Sequence, residues 1–317
     1  MRRISTLVAC AALWAASLPA QGDSLYRAWC AACHGVDARG TPFASTRLSV
    51  RPADLASCAA STPETEDQWI GIVARGGAAY GLSLDMPAYG EAGTPEQIRM
   101  VVRYVRSLCR ERGWPPGELN FPRAFLAEKA FPENELVLVA HAAEQQFIFE
   151  HRVGRRWQYE VEGRSVFDSL DRPFDGVSIA VKYNVWHSVH HRSLATLGLE
   201  VTPPIGRQSL WEVEPFLSAG AQRGGFVAQA QALIGWEETE GVTGAMRIGL
   251  GHQAGRFVPM LEAQVSEDLT WYPQVWFRLS RLGHVAGSAG AELGTGRAKL
   301  IGFLLWDFGD APLFRGW

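Results

Sequence analysis

The hydrophobic pattern of this chain changes period once, near residue 135. Before that point apolar residues recur at helical spacing. Ile98, Val101, Val102, Val105 and Leu108 form one face of a helix, and Thr94-Pro95-Glu96-Gln97 opens it with a capping-box pattern and an early proline. Trp69, Ile72 and Val73 mark another helix over about 66–75, stopped by Gly76-Gly77. Leu25, Ala28 and Trp29 predict an earlier helix that starts at Ser24 with Asp23 as its N-cap.

Beyond residue 135 the period is 2. Val177, Ile179, Val181, Tyr183 and Val185 alternate with Ser178, Ala180, Lys182 and Asn184. Similar alternation runs through Phe226–Trp236, Met246–Leu250 and on to about residue 308. Earlier candidates are Glu135–His141, Gln146–Val153 and Arg156–Gly163, which brings the expected total to 10–12 strands joined by short turns. Between the two regimes, residues 113–134 hold Pro115, Pro116, Gly117, Pro122 and Pro132, the composition of a linker wrapped over a surface.

The expected fold is therefore an all-α domain over 21–112 and an all-β antiparallel up-and-down barrel over 135–317. Two settings suit such strands: a transmembrane barrel, or a soluble sandwich or barrel with one wet face. Trp211, Phe226, Trp236, Phe257, Trp271, Trp306 and Phe308 at strand ends favour the membrane, as aromatic girdles do. Pro215, Pro259 and Pro273 count against it, because each lacks a ladder donor.

Composition narrows the class. A chain of 317 residues with 47% apolar content is not disordered, and a net charge of -3 makes no case for nucleic acid. Residues 1–20 read as a secretory signal: Arg2 and Arg3, an apolar run, then Leu18-Pro19-Ala20. Leu7-Val8-Ala9-Cys10 resembles a lipoprotein box, but the apolar stretch before it is short, and Cys10 is read as an ordinary member of the leader.

The candidate chemistry is concentrated in Cys30-Ala31-Ala32-Cys33-His34, the C-x-x-C-H attachment pattern for c-type haem. Two thiols at this spacing can add to the two vinyl groups, and the adjacent imidazole reaches the iron. A redox pair or half a zinc site are the other readings; the first does not need the His, and the second needs more ligands. Met86, in the loop Leu84-Asp85-Met86-Pro87-Ala88, is the candidate second axial ligand. Export leaves Cys58 and Cys109 over, an even number in an oxidising compartment: a disulfide, or two buried thiols.

The order of Cys30-x-x-Cys33-His34, the Met86-Pro87-Ala88 loop and the helix through Tyr104-Val105-Arg106-Ser107-Leu108 resembles a class I mono-haem cytochrome c over about 21–112. The resemblance implies one covalent haem c with His34 and Met86 as axial ligands, an exposed haem edge, and electron transfer in place of enzymatic turnover. It also implies a backbone carbonyl that holds the second nitrogen of His34, with Pro52 as the candidate. Trp211-Glu212-Val213-Glu214-Pro215-Phe216-Leu217, Tyr272-Pro273-Gln274-Val275 and Leu304 to Asp310 resemble outer-membrane proteins of the transporter-like barrel group linked to phenol degradation, over about 145–317.

Other features are blander. His187, His190 and His191 cluster at a hairpin turn, where exposed turn residues are favoured over a metal site. Glu212, Glu214, Glu237, Glu238 and Glu240 suit a solvated face or a barrel mouth. The expected protein is an electron carrier with a periplasmic cytochrome domain and a barrel in the outer membrane, with periplasmic redox proteins and outer-membrane lipid as partners. The alternatives are a channel or transporter with a cytochrome plug, or a soluble periplasmic cytochrome with a partner-binding β domain.

Overall fold

The computed structural model describes residues 18–111, 113–142, 144–166, 174–239, 241–280, 284–294 and 296–308. The expected leader, Cys10 included, lies outside these residues except for 18–20. The chain divides into two units, one ending at Trp114 and one starting at Pro115.

The first unit is helical: α1 (Leu18–Trp29), α2 (Ala31–His34), α3 (Cys58–Ser61), α4 (Glu66–Arg75) and α5 (Pro95–Ser107). The two later helices form where periodicity places them. Thr94 and Gln97 close a capping box on α5, and Thr65 with Gln68 do the same for α4. The expectation for α1 needs correcting. The helix begins before Ser24, so Asp23 lies inside it and accepts from Arg27 Nε at 3.0 Å without capping anything.

Its buried face also differs: Tyr26 is fully buried and Ala28 is exposed. Tyr26 can be buried because its hydroxyl donates to the Gly35 carbonyl at 2.7 Å. Tyr26, Val73, Ile98, Val101, Val102 and Val105 form the core. α1 lies close against α5: a Cβ on Gly22 would sit 2.8 Å from both the Met100 carbonyl oxygen and the Tyr104 Cβ. A side chain there would force the two helices apart.

A disulfide joins Cys58, at the start of α3, to Cys109, just beyond α5, across 51 residues of chain. Closing a loop of that length restricts the unfolded chain. Replacing both cysteines by alanine is expected to lower stability by about 2–4 kcal/mol. Denaturant titration of the haem-loaded chain, followed at the Soret band, measures it.

The second unit is a closed barrel of twelve antiparallel strands in sequential order. They are β1 (Glu135–His141), β2 (Glu144–Val153), β3 (Trp157–Val166), β4 (Phe174–Ser188), β5 (Ser193–Thr202), β6 (Glu212–Arg223), β7 (Phe226–Glu237), β8 (Gly241–His252), β9 (Phe257–Val265), β10 (Leu269–Arg278), β11 (Val285–Glu292) and β12 (Lys299–Asp307). β1 closes on β12 from Glu135↔Asp307 to His141↔Ile301. Alternation then sorts the side chains. Leu138, Ile179, Leu197, Leu217, Ile234, Leu250 and Leu304 are exposed, while Glu150, Gln158, Lys182, Asn184, Ser218 and Glu262 point inward and are buried.

The three prolines sit where ladders stop. Pro215 falls in the gap between the β6–β7 pairs Val213↔Trp236 and Phe216↔Leu233. Pro259 lies one residue past the last β8–β9 pair, Gly251↔Met260, and Pro273 one residue past the last β10–β11 pair, Gln274↔Gly290. On its other side each proline is paired within a ladder, Leu199↔Pro215, Val275↔Pro259 and Pro273↔Leu261, so the barrel closes with all three in place, each beside a ladder end or gap.

Residues 115–134 are not a surface linker. They belong to the barrel unit, and Leu119, Phe121, Ala124, Ala127, Ala130 and Phe131 are buried. The partners of this segment are inward side chains from around the whole barrel, so the segment occupies the lumen. Gln229 of β7 donates to the Pro122 carbonyl at 2.7 Å, and Arg247 of β8 to the Leu126 carbonyl at 3.1 Å. The Glu262 carboxylate of β9 accepts from the backbone N–H groups of Phe125, Leu126 and Ala127 at 3.0, 3.0 and 2.7 Å. Phe125 meets Phe303 of β12 edge-on. With no neighbouring strand, the segment's backbone needs these side-chain partners.

Charge holds it as well. Arg123 reaches Glu150 at 3.0 Å and Glu128 at 3.3 Å, and Lys182 of β4 reaches Glu128 at 2.8 Å and Glu150 at 3.2 Å. Lys129 pairs with Glu133 and with Glu135 of β1.

Candidate haem-binding site

The attachment motif is built by the end of α1 and the single turn of α2. The Cys30 N–H donates to the Tyr26 carbonyl at 2.8 Å, and the His34 N–H donates to the Cys30 carbonyl at 2.9 Å. The two cysteines and the imidazole are thus set on one continuous helical path. Gly35 ends it with φ at +76°, in the left-handed region that glycine adopts without strain. Cys30 and Cys33 are both free thiols and partly exposed. Burial, then the neighbouring Cys33, pushes the Cys30 thiol up to about 11.

The loop that follows folds back on the motif. The Gly40 N–H donates to the His34 carbonyl at 2.8 Å, the Thr41 N–H to the Cys33 carbonyl at 3.0 Å, and the Leu55 N–H to the Ala38 carbonyl at 2.7 Å. This return places the Ala53 carbonyl 3.1 Å from His34 Nδ1. A carbonyl only accepts, so Nδ1 carries the proton and Nε2 keeps a free lone pair. Burial lowers the His34 pKa below its usual value, opposed by the bond to Ala53, a shift that favours the neutral ring a metal ligand requires. The carbonyl expected from Pro52 is corrected by one residue. The Pro52 oxygen packs against Gly40, where a Cβ would lie 2.7 Å away.

Met86 lies in the loop between α4 and α5, as the sequence indicates. Its carbonyl accepts from the Gly77 N–H at 3.0 Å, and its side chain packs on the same apolar core as Cys30 and Trp69. Asp85 ties this loop to the one before α3: its carboxylate accepts from the Ser49 N–H and the Ser49 hydroxyl, each at 2.6 Å. Those bonds hold the Asp85 carboxyl below the usual carboxylate range. Behind Met86, Tyr89 stacks on Trp29 with ring centroids 5.1 Å apart, and its hydroxyl donates to the Trp29 carbonyl.

These residues fit a covalent haem. Two unbridged thiols at the right spacing, an imidazole with Nε2 open and a thioether on an apolar core make up the donor set. The buried indole nitrogen of Trp69 has no hydrogen-bond partner among the described residues, and a polar edge of a bound group would supply one. The site roles of Ala53, Tyr26, Asp85 and Trp69 escaped the sequence reading. A backbone carbonyl has no sequence signature, and the others show their roles only through partners distant in the chain.

The other candidates separate from this site. His187 Nδ1 lies 3.0 Å from the Asn184 side-chain oxygen, and His190 and His191 contact one another. None joins a metal-ligating group among the described residues. Glu128, Glu150 and Glu160 do cluster, in the lumen, but Arg123 and Lys182 already engage Glu128 and Glu150.

Residues 17–105 match the family model described as cytochrome C oxidase, cbb3-type, subunit III. The first unit is therefore a c-type cytochrome domain, and the chain joins it to a twelve-strand barrel. Among solved structures, the KdgM porin in complex with disordered oligogalacturonate is similar at 9% identity and a TM-score of 0.45, covering 55% of this chain and 98% of that one. The COG4313 outer membrane channel from Pseudomonas putida F1 is similar at 8% identity and a TM-score of 0.42, covering 58% and 98%. No curated protein matches the chain.

Proposed function

We propose that this protein is an electron carrier: one haem c bound through Cys30 and Cys33, ligated by His34 and Met86, and held at the outer membrane by the barrel. The observation that carries the haem reading is His34 donating from Nδ1 to the Ala53 carbonyl, which leaves Nε2 for the iron. Bound there, the haem supplies a one-electron couple. The protein's own part is to fix the imidazole, pack Met86 against an apolar wall and keep water from the ligands. Met86→Ala is expected to abolish the methionine-to-iron absorption band at the red end of the visible spectrum and to lower the reduction potential. A band that survives rules out Met86.

The outward face of the barrel supports the membrane reading. In water its large apolar side chains would contribute nothing to folding, whereas covered by lipid each gains roughly 1.5–3 kcal/mol. Among the described residues no helix is long and apolar enough to cross a membrane, so strands would make the crossing. An even number of antiparallel strands brings the start of β1 and the end of β12 to one side. The cytochrome domain precedes the barrel in sequence, and we assign it with these chain ends to the periplasm, within reach of soluble redox partners. A single haem does not carry electrons across an apolar band about 25 Å tall.

The channel reading is second, because chain segment 117–133 fills the lumen. Detergent extraction, haem staining and a heat-shift gel test export, haem and barrel together. Recovery in the soluble fraction without detergent overturns the anchoring.

A further inference from the structure

The two ends of the barrel carry opposite charge. The strand pairs Val153↔Trp157, Ser188↔Ser193, Arg223↔Phe226, Phe257↔Phe277 and Glu135↔Asp307 all lie at the end where the barrel's own chain ends meet. Each of the five connections at this end holds or adjoins an exposed arginine: Arg155, Arg192, Arg223, Arg256 and Arg278. The connecting residues 154–156, 189–192, 224–225, 253–256 and 279–284 include no Asp or Glu in the sequence. The opposite end carries Glu200, Glu212, Glu237, Glu238, Glu267 and Asp268, which outnumber its Arg164, Arg207, Arg297 and Lys299.

The arginines stand beside outward aromatic residues. Trp157, Trp186, Phe226 and Phe257 are exposed at the same end, and Phe226 is 67% exposed directly across the hairpin from Arg223. Outward aromatics of this kind sit at headgroup level when a barrel is in a bilayer. Arg192 is turned inward to Gln222 and the Glu118 carbonyl, so it serves the lumen segment. Arg223 lies on the outward face beside Phe226, while Arg256, whose guanidinium donates to the Arg278 carbonyl at 3.4 Å, and Arg278 are exposed at the mouth.

We propose that this rim is a binding surface for anionic phospholipid, its guanidinium groups engaging headgroup phosphates in the leaflet at the chain-end side of the barrel. The inference rests on the membrane reading above. A guanidinium presents parallel N–H donors that match two phosphate oxygens, where an ammonium offers only a point charge. Adjacent aromatics bring each group to phosphate depth. An acidic protein would also answer the charge, but the exposed rings alongside fit a bilayer interface.

Spin-labelled lipids provide the test, using the full chain, haem-loaded, in vesicles of mixed phosphatidylcholine and phosphatidylglycerol. Electron spin resonance reports how much of each label the protein immobilises. Phosphatidylglycerol is expected to associate roughly fivefold more strongly than phosphatidylcholine for each arginine engaged. The preference should fall as salt rises and be largely lost in the R223Q/R256Q/R278Q variant, with haem absorbance and the heat-shift band unchanged. Equal association of the two lipids with the native chain overturns the proposal, as does a preference that persists in the variant. Relief of the preference by inorganic phosphate at constant ionic strength would mean a free-phosphate site instead. Salt-sensitive capture of polyglutamate with no lipid preference would mean an acidic-protein surface. If neither label is immobilised, the membrane reading itself fails.

Discussion

The Cys30→Ser, Cys33→Ser double variant is expected to arrive in the membrane fraction with no haem attached. Its haem stain on a denaturing gel should fall to background while the barrel's heat-shift band stays. The reason is covalent: in the proposed site each thiol would form one thioether bond, and both are free and partly exposed in the folded domain. The core behind them is made by Tyr26, Val73, Ile98, Val101, Val102 and Val105, and the Cys58–Cys109 disulfide lies elsewhere. The substitutions therefore remove attachment without removing the core. His34→Ala separates attachment from ligation: both thioethers can still form, so the stain remains, but the spectrum loses its normal ligand field. Stain that persists in the double cysteine variant would show that haem is held elsewhere.

Lys182→Met is expected to destabilise the barrel by about 3–5 kcal/mol, the usual cost of breaking a buried ion pair by removing one partner. Lys182 is 2% exposed, and its ammonium bridges Glu128 of the lumen segment and Glu150 of β2. Without it Arg123 is the remaining cation paired with those carboxylates among the described residues, deep in the lumen, and Gln158 gives Glu150 only a neutral donor. The readout is the urea midpoint of the full chain in lipid vesicles, with the gel heat shift as a second measure. Replacing Lys182, Glu128 and Glu150 together by apolar residues of similar volume should restore part of the loss, because no uncompensated charge is left. An unchanged midpoint in Lys182→Met would show that the lumen segment is not held by these pairs.

Much of the fold was legible because it repeats a simple rule. Strand after strand alternates, and the alternation survives in the barrel because one face meets the interior and the other the outside. α4 and α5 were legible from their stripes, and their Thr and Gln caps follow the same local logic. α1 was misread because Tyr26 was not counted as a core residue. Only its bond to the Gly35 carbonyl makes that phenol burial acceptable. The prolines of β6, β9 and β10 argued against a barrel until the register showed each one beside a ladder's end or gap on one of its two sides.

The lumen segment was the largest miss. Its prolines read as a linker, yet Phe121, Phe125 and Phe131 lie among Arg123, Glu128, Lys129 and Glu133. A solvated linker has no use for three phenylalanines, and that was the available signal. What it lacked was a partner list, since Glu150, Lys182, Gln229, Arg247 and Glu262 come from five different strands.

The sequence by itself determined the class of each half and supplied the residues of the proposed haem site, because both are written in local spacing: C-x-x-C-H on one turn, and a period that changes from helix to strand. The tertiary structure decided which carbonyl orients His34, how the twelve strands close, and that residues 115–134 fill the lumen. These depend on contacts between residues far apart in the chain, where local pattern carries no information and only packing, charge pairing and backbone hydrogen-bond demand select the outcome.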